Sequence, residues 1–262
     1  MALEAAVQTG RPRTLQMFTG LFLALTLLLG AVVAAHFYVD YRAERTLRDA
    51  RETLNVELAR RALAADIAAV TTDLMFLGRL VESLSFDRTA AENRKRYLAE
   101  VFLTFAQEKG LYDQIRFLDV RGHEVVRVNL AGGGPLLVDP GQLRDKSGRY
   151  YVESALRLSR GQVYLSPLDL NIEDGVVEQP IKPVLRFATP VFDIAGRRQG
   201  LVVLNYLGDR LLERFRQAAA NIAGRVQLLN GDGYWLSSPR PKESWGFMFG
   251  REDTFQRRFA DA

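Results

Sequence analysis

Residues 114–130 read QIRFLDVRGHEVVRVNL. Apolar and polar side chains alternate over much of both arms, and Arg121-Gly122 sits between them. Alternation with a period of two places one set of side chains on each face of a strand. The stretch therefore predicts a β-hairpin with strands over 114–120 and 124–130. Downstream, strands are expected over 162–166, 184–192 and 198–206, the last two joined by a turn at 193–196. A short helix over 150–158, closed by Gly161, precedes them, and a further helix covers 209–222. The glycine- and proline-rich run 131–140 reads as a loop. Residues 225–238, RVQLLNGDGYWLSS, repeat the strand, polar-glycine turn and strand pattern of 115–128. A second module of the same kind is thus expected to open near residue 224 and to be incomplete at residue 262.

Upstream of the hairpin the pattern is helical. Residues 17–39, MFTGLFLALTLLLGAVVAAHFYV, contain no Asp, Glu, Lys or Arg. About 20 such residues span a hydrocarbon core of roughly 30 Å. Arg11 and Arg13 precede the run, so residues 1–16 are expected in the cytoplasm and everything after residue 39 outside it. A cleaved signal peptide is the other reading, since Val33-Ala34-Ala35 would suit a peptidase, although signal cores usually span about 7–15 residues. From residue 40 to 84 helix formers dominate. Ile67, Val70, Leu74, Leu77, Val81 and Leu84 form one apolar seam at 3-4 spacing, and Leu47, Ala50 and Leu54 form a shorter one. The seam fits either a helix lying along its own domain or a homodimer interface running through 40–84. Thr89 and Glu92 have the spacing of a capping box for a second helix that Gly110 closes.

Composition excludes several function classes. The 262 residues carry 35 Lys and Arg against 31 Asp and Glu, a net charge of +4 scattered from end to end, which is no nucleic-acid footprint. Without cysteine there is no disulfide, thiolate metal site or cysteine nucleophile. The two histidines, His36 and His123, have no partner at metal-ligand spacing, and no cofactor motif is present. Gly132-Gly133-Gly134 lacks the lysine and helix start of a phosphate loop. Glu173 and Asp174, adjacent acids in a glycine-flanked turn, read as solvated rather than catalytic, so the chain itself is not expected to be an enzyme.

What remains is a polar cluster over residues 149–175. Arg149 stands at the start of the short helix, where a cation opposes the helix macrodipole, so it is expected to answer to a carboxylate of the protein or of a ligand. Tyr164 leads into the SPLDLN turn, whose Asp169 and Asn171 either close the turn or line a concave site with Tyr151.

These residues carry a resemblance. The segments IRFLDVRGHEVVRV (115–128), RYYVESA (149–155), VYLSPLD (163–169) and FATPVFDIAGRRQGLVVLN (187–205) are similar to the extracytoplasmic double Cache sensor region of bacterial transmembrane receptors. It is a PAS-like region found in histidine kinases, diguanylate cyclases and chemoreceptors, and the likeness extends over about residues 40–249. The resemblance implies an α+β fold: a transmembrane helix at 17–39, helices over 40–110, a membrane-distal module at 111–223 and a proximal one from 224 to 262. It also implies a ligand pocket in the distal module and a place in the bacterial inner membrane. Arg149 and Tyr151 match the family's carboxylate-gripping pair, while Val152 replaces a usual aromatic. Asp169 matches an acid at the pocket mouth, and Asn205 stands where an amine-anchoring aspartate is common. The expected site is Arg149, Tyr151, Tyr164, Asp169, Asn171 and Asn205, with Phe117 and Arg127 from the hairpin. A small carboxylate without an amine suits that set. The competing expectation is an anchored structural or protein-interaction module.

Overall fold

The computed structural model describes residues 11–84, 91–173, 175–219 and 226–259. The chain divides into two compact units between Leu54 and Asn55. In the first, helix α1 (Arg11–Leu84, 74 residues) begins with an exposed apolar stretch of mean hydropathy 2.3, long and apolar enough to cross a membrane. α1 then runs unbroken into the second unit, which holds the sheet.

That sheet is antiparallel. Strands β1 (Tyr112–Asp119), β2 (Glu124–Ala131), β3 (Gly134–Leu137), β4 (Tyr164–Leu165) and β5 (Asp169–Leu170) join β8 (Pro183–Phe192) and β9 (Arg198–Leu207), in the order β3-β2-β1-β9-β8-β4. β5 also pairs with β8, and β6 (Ile172–Glu173) with β7 (Val176–Val177) makes a separate small hairpin. The predicted long strands all form. β3 falls in the run expected to be a loop: Gly132 and Gly133 turn the chain so that Pro135–Leu137 lies back along β2, with Val128 opposite Leu137. A proline is tolerated there because β3 is an edge.

Three tight turns share one construction. Oδ1 of Asp119, Asp193 and Asn230 each accepts backbone N–H bonds from the second and fourth residues on. The intervening Gly122, Gly196 and Gly233 hold φ of 88°, 77° and 83°, left-handed geometry that glycine adopts without a Cβ penalty. The third turn joins β10 (Leu228–Leu229) to β11 (Trp235–Ser237), the hairpin anticipated from the repeated pattern. Around it the described residues add only single-turn helices, and Leu236 and Trp245 join the main buried cluster. A second sheet of the β1–β9 kind is not formed by residues 226–259.

Alternation gives the sheet two different faces. One face carries Ile115, Val126, Val128, Phe187, Val202 and Leu204, buried with Val70, Leu74, Leu77 and Val81 of α1 and Leu98 and Phe102 of α2 (Ala91–Lys109). Each such aliphatic side chain contributes roughly 1.5–3 kcal/mol on burial. Val70, Leu74, Leu77 and Val81 of the apolar seam are therefore spent on the chain's own core. The other face carries Leu118, Ala188, Leu201 and Val203 against Tyr151, Val152 and Ala155 of α3 (Tyr150–Leu156). β9 closes on β1 without a side chain at Gly200, where a Cβ would stand 1.9 Å from the Leu118 carbonyl oxygen. Helix α4 (Gly208–Ala218) follows β9 directly, with Leu211, Leu212 and Phe215 inward. Thr89 and residues 220–222, expected as a cap and a helix end, lie outside the described residues.

Two aspartates fasten α1 to the middle of the sheet. Asp73 accepts from Tyr112 Oη at 2.6 Å and Lys109 Nζ at 2.8 Å. Asp66 accepts from Tyr206 Oη and from Arg214. Tyr112 and Tyr206 are cross-strand partners with rings 6.4 Å apart, edge to face. Burial, with Asp66 second, pushes the Tyr206 hydroxyl up to about 12, so it stays a donor at neutral pH. Replacing Asp73 by Ala strands the Tyr112 hydroxyl and is expected to cost about 1–3 kcal/mol; Tyr112→Phe should cost only about 0.5–1.5 kcal/mol. Denaturant unfolding of the detergent-solubilised chain checks both, and equal small losses would show that the pair does not fasten the helix.

Candidate functional site

The face of the sheet beneath α3 is buried and polar. On β1, Gln114 and Arg116 point to it, because Ile115 and Phe117 point to the α1 side. Cross-strand pairing extends each into a rung. Asn129, Gln114, Asn205 and Arg186 form one, and Arg127, Arg116, Val203, Ala188 and Tyr164 form the next. Arg116, Arg186, Asn205 and Asn171 are each at most 7% exposed. Buried charge of this density is costly unless it is paired.

Most of it is paired. Glu124 holds Arg127 Nη1 at 2.8 Å and also accepts the Arg144 backbone N–H. Its other oxygen lies 3.4 Å from Arg116 Nε without aligning for a hydrogen bond. Arg116 Nη1 donates to Tyr151 Oη at 2.9 Å. Arg186 donates to Asp169 and, at 3.3 Å, to Asn171 Oδ1, and its guanidinium lies 5.5 Å from the centre of the Tyr151 ring. Tyr150 Oη donates to Asp169 at 2.7 Å. Asn171 Nδ2 donates to Glu178, and Lys182 Nζ bridges Glu178 at 2.7 Å and Asp113 at 3.0 Å. Burial raises the Asp113 carboxyl above its ordinary range in spite of Lys182. Burial also lowers the Lys182 ammonium, but its bonds to Glu178 and Asp113 outweigh that and leave it raised.

Six buried atoms on this face of the sheet make no hydrogen bond: Arg116 Nε and Glu124 Oε1, which face each other at 3.4 Å, and Arg127 Nε, Asn129 Oδ1, Asn205 Oδ1 and Asp113 Oδ2. They sit on adjacent rungs or beside them, and outside the Arg116–Glu124 ion pair each is desolvated without compensation, at about 1–3 kcal/mol for a neutral group. A set of donors and acceptors left open in one place is what a small polar molecule fills. Among the described residues no cluster of His, Asp and Glu gathers to hold a metal ion.

The structure brings seven of the eight expected residues together. Tyr151, Asp169, Asn171, Asn205 and Arg127 belong to the network, and Tyr164 packs on the α3 side beside Ala188. Arg149 stands at the start of α3, half-buried, with Nη2 donating to the Ile172 carbonyl at 3.2 Å. Phe117 does not belong. It faces the α1 and α2 side with Leu98 and Val125, because a side chain one position from Arg116 points through the opposite face. Arg116, Arg186, Gln114 and Glu124 were not anticipated. Their signal was present as charged or amide residues inside strands otherwise apolar, VLRFATPV above all. Asp174 lies outside the described residues.

A family model for the sensor domain of bacterial histidine kinases matches residues 50–261. The chain belongs to that family. It is a sensor domain of the histidine kinase type. The sensor domain is similar in structure to the extracellular domain of a putative histidine kinase, at 25% identity and a TM-score of 0.63 over 84% of this chain and 80% of that one. It shares its fold with a domain of a putative sensory box/GGDEF family protein from Vibrio parahaemolyticus, at 24% identity and a TM-score of 0.53 over 79% and 82% of the two chains. The sensory domain of a Campylobacter jejuni chemoreceptor, solved with isoleucine bound, has the same fold at 10% identity and a TM-score of 0.55, over 81% and 78%. None of the curated proteins matches the sensor domain in sequence.

Within this sensor domain the two arginines nearest α3 should behave differently. Arg186→Ala takes the cation from half-buried Asp169, which keeps only the Tyr150 hydroxyl, and is expected to cost about 1–3 kcal/mol. Arg149→Ala removes one bond to a carbonyl and should cost about 1 kcal/mol or less. Thermal and denaturant unfolding of the two variants decides the order. Asp113, with its folded value raised, adds stability that is full below its unfolded value of 3.8 and is lost as pH climbs through the raised one. Asp113→Asn should remove that fall from a pH titration of stability.

Proposed function

We propose that the chain is the ligand-sensing part of a receptor anchored in a bacterial inner membrane by residues 17–39, with the unit from Asn55 onward outside the cytoplasm. A small carboxylate binds between α3 and the sheet, gripped from Arg149, Tyr151, Arg116 and Arg127, with Tyr164, Asp169, Asn171 and Asn205 shaping the site. One observation carries this reading: buried donors and acceptors left without partners on two neighbouring rungs beneath α3. A purely structural or interaction module would gain by pairing or replacing them. The isoleucine held by the Campylobacter chemoreceptor supports a small-molecule site in this fold.

Binding shifts an existing equilibrium between two arrangements of α3 and the sheet, by no more than the ligand's differential affinity for them. Asp66 and Asp73 pass the shift to α1 through Tyr206 and Tyr112, next in sequence to ligand-facing Asn205 and to Asp113. Two chains pair along the exposed part of α1, where Leu47 and Leu54 stand seven residues apart.

A thermal-shift screen of the full chain in detergent micelles against small carboxylates, amino acids and amines tests the site. A carboxylate at 100 times its dissociation constant is expected to add about 2.7 kcal/mol. Arg149→Ala, which should leave the fold intact, is expected to weaken that gain. A well-folded chain that answers to no compound in the screen would overturn the proposal.

A further inference from the structure

The two rungs beneath α3 ask for opposite things. On one, cross-strand partners Arg116 and Arg127 each keep an Nε–H out of any hydrogen bond, Arg127 Nε with no acceptor and Arg116 Nε 3.4 Å from a Glu124 oxygen that does not align with it. On the other, Asn129 and Asn205, on either side of Gln114, each keep an Oδ1 without a donor. The Asn205 side chain is fully buried, and its Nδ2 is turned toward Gln114 Oε1 at 3.5 Å, which leaves its oxygen facing the site. Rungs two residues apart along a strand lie about 7 Å from each other. A compact molecule spans that distance with an acceptor end and a donor end.

A bare carboxylate answers only the arginine rung. We infer that the ligand is a hydroxy carboxylate: its carboxylate accepts from Arg116 and Arg127, and a neighbouring hydroxyl donates to Asn205. The inference rests on the sensor reading of the same site. A hydroxyl fits better than an ammonium because Asn205 has Gln114 and Arg186 as its cross-strand neighbours, one neutral and one cationic. The other carboxylates nearby face cations already: Asp169 is on Arg186 and Tyr150, Glu178 on Lys182 and Asn171, and Glu124 holds Arg127 with one oxygen and lies 3.4 Å from Arg116 Nε with the other, on the arginine rung. Asp113 keeps one oxygen open, but its other oxygen is on Lys182, and burial drives it toward the neutral acid. Five cations against four carboxylates line the site (Arg116, Arg127, Arg149, Arg186 and Lys182; Asp113, Glu124, Asp169 and Glu178), a balance that takes up an anion and resists a further cation.

Matched triplets test the inference on the full chain in micelles by titration calorimetry: propionate, lactate and alanine, then succinate, malate and aspartate. Within at least one triplet the hydroxy member is expected to bind about ten-fold or more tightly than the unsubstituted acid, with the amino member no better than the latter. Asn205→Leu should erase the advantage of the hydroxyl. Asn205→Asp, nearly the same size and so the safer variant for folding, should move the preference to the amino member. Equal binding of hydroxy and unsubstituted acids overturns the inference and leaves the carboxylate site standing. So does tightest binding of the amino member to the unmodified chain, which would assign an ammonium to Asn205 and Asp113. Silence from both triplets overturns it as well, and the broad screen then decides separately whether the site binds a ligand at all.

Discussion

Everything in the sensor domain depends on burying both faces of one antiparallel sheet. Alternation along β1 sends Ile115 and Phe117 to one side and Gln114, Arg116 and Leu118 to the other. The first side is closed by α1 and α2 with aliphatic and aromatic packing that needs no direction. The second is closed by the seven residues of α3 and the chain around β5–β7, and there polar groups must find partners in specific geometry. Stability thus comes mainly from the α1 side. Directional demand is concentrated on the α3 side, where buried polar groups remain without hydrogen bonds.

The same constraint decides the role of α1. Its seam from Val70 to Val81 matches the apolar face of the sheet, so these side chains are used inside the chain. Asp66 and Asp73 lie on that helix as well, and their tyrosine partners sit opposite each other on β1 and β9. The part of α1 in the second unit is therefore tied by hydrogen bonds to the two central strands of the sheet. Those strands also carry Gln114, Arg116 and Asn205 on their opposite, polar side. Packing that is close on both sides moves between discrete arrangements rather than yielding gradually, which suits a sheet placed between a site and a helix.

The residue pattern made some of the site legible and hid the rest for a definite reason. Tyr151, Asp169 and Asn171 stand close in sequence around one short helix and one turn, so local reading gathers them. Arg116, Arg186 and Asn205 come from three strands up to 89 positions apart, and only register makes them neighbours. Phe117 shows the limit plainly, since membership of the right strand says nothing until parity is known. The place of Arg149 at a helix start points to a carboxylate partner, yet the buried guanidinium against the Tyr151 ring is that of Arg186. β3 was missed because a proline and three glycines suppress the strand signal, while an edge position tolerates them.

What the sequence determined by itself was the inventory of elements: an apolar helix of membrane length, a long amphipathic continuation, hairpins punctuated by Asp or Asn three residues before glycine, and a short helix between them. These follow from local periodicity and turn chemistry, which act over a few residues. The tertiary structure alone decided which face each side chain joined, whether the seam of α1 met its own sheet or another chain, and which charges found partners. Those outcomes depend on strand order and register. Both are set by how apolar surface can be buried across the whole sheet at once, and no window of sequence contains that information.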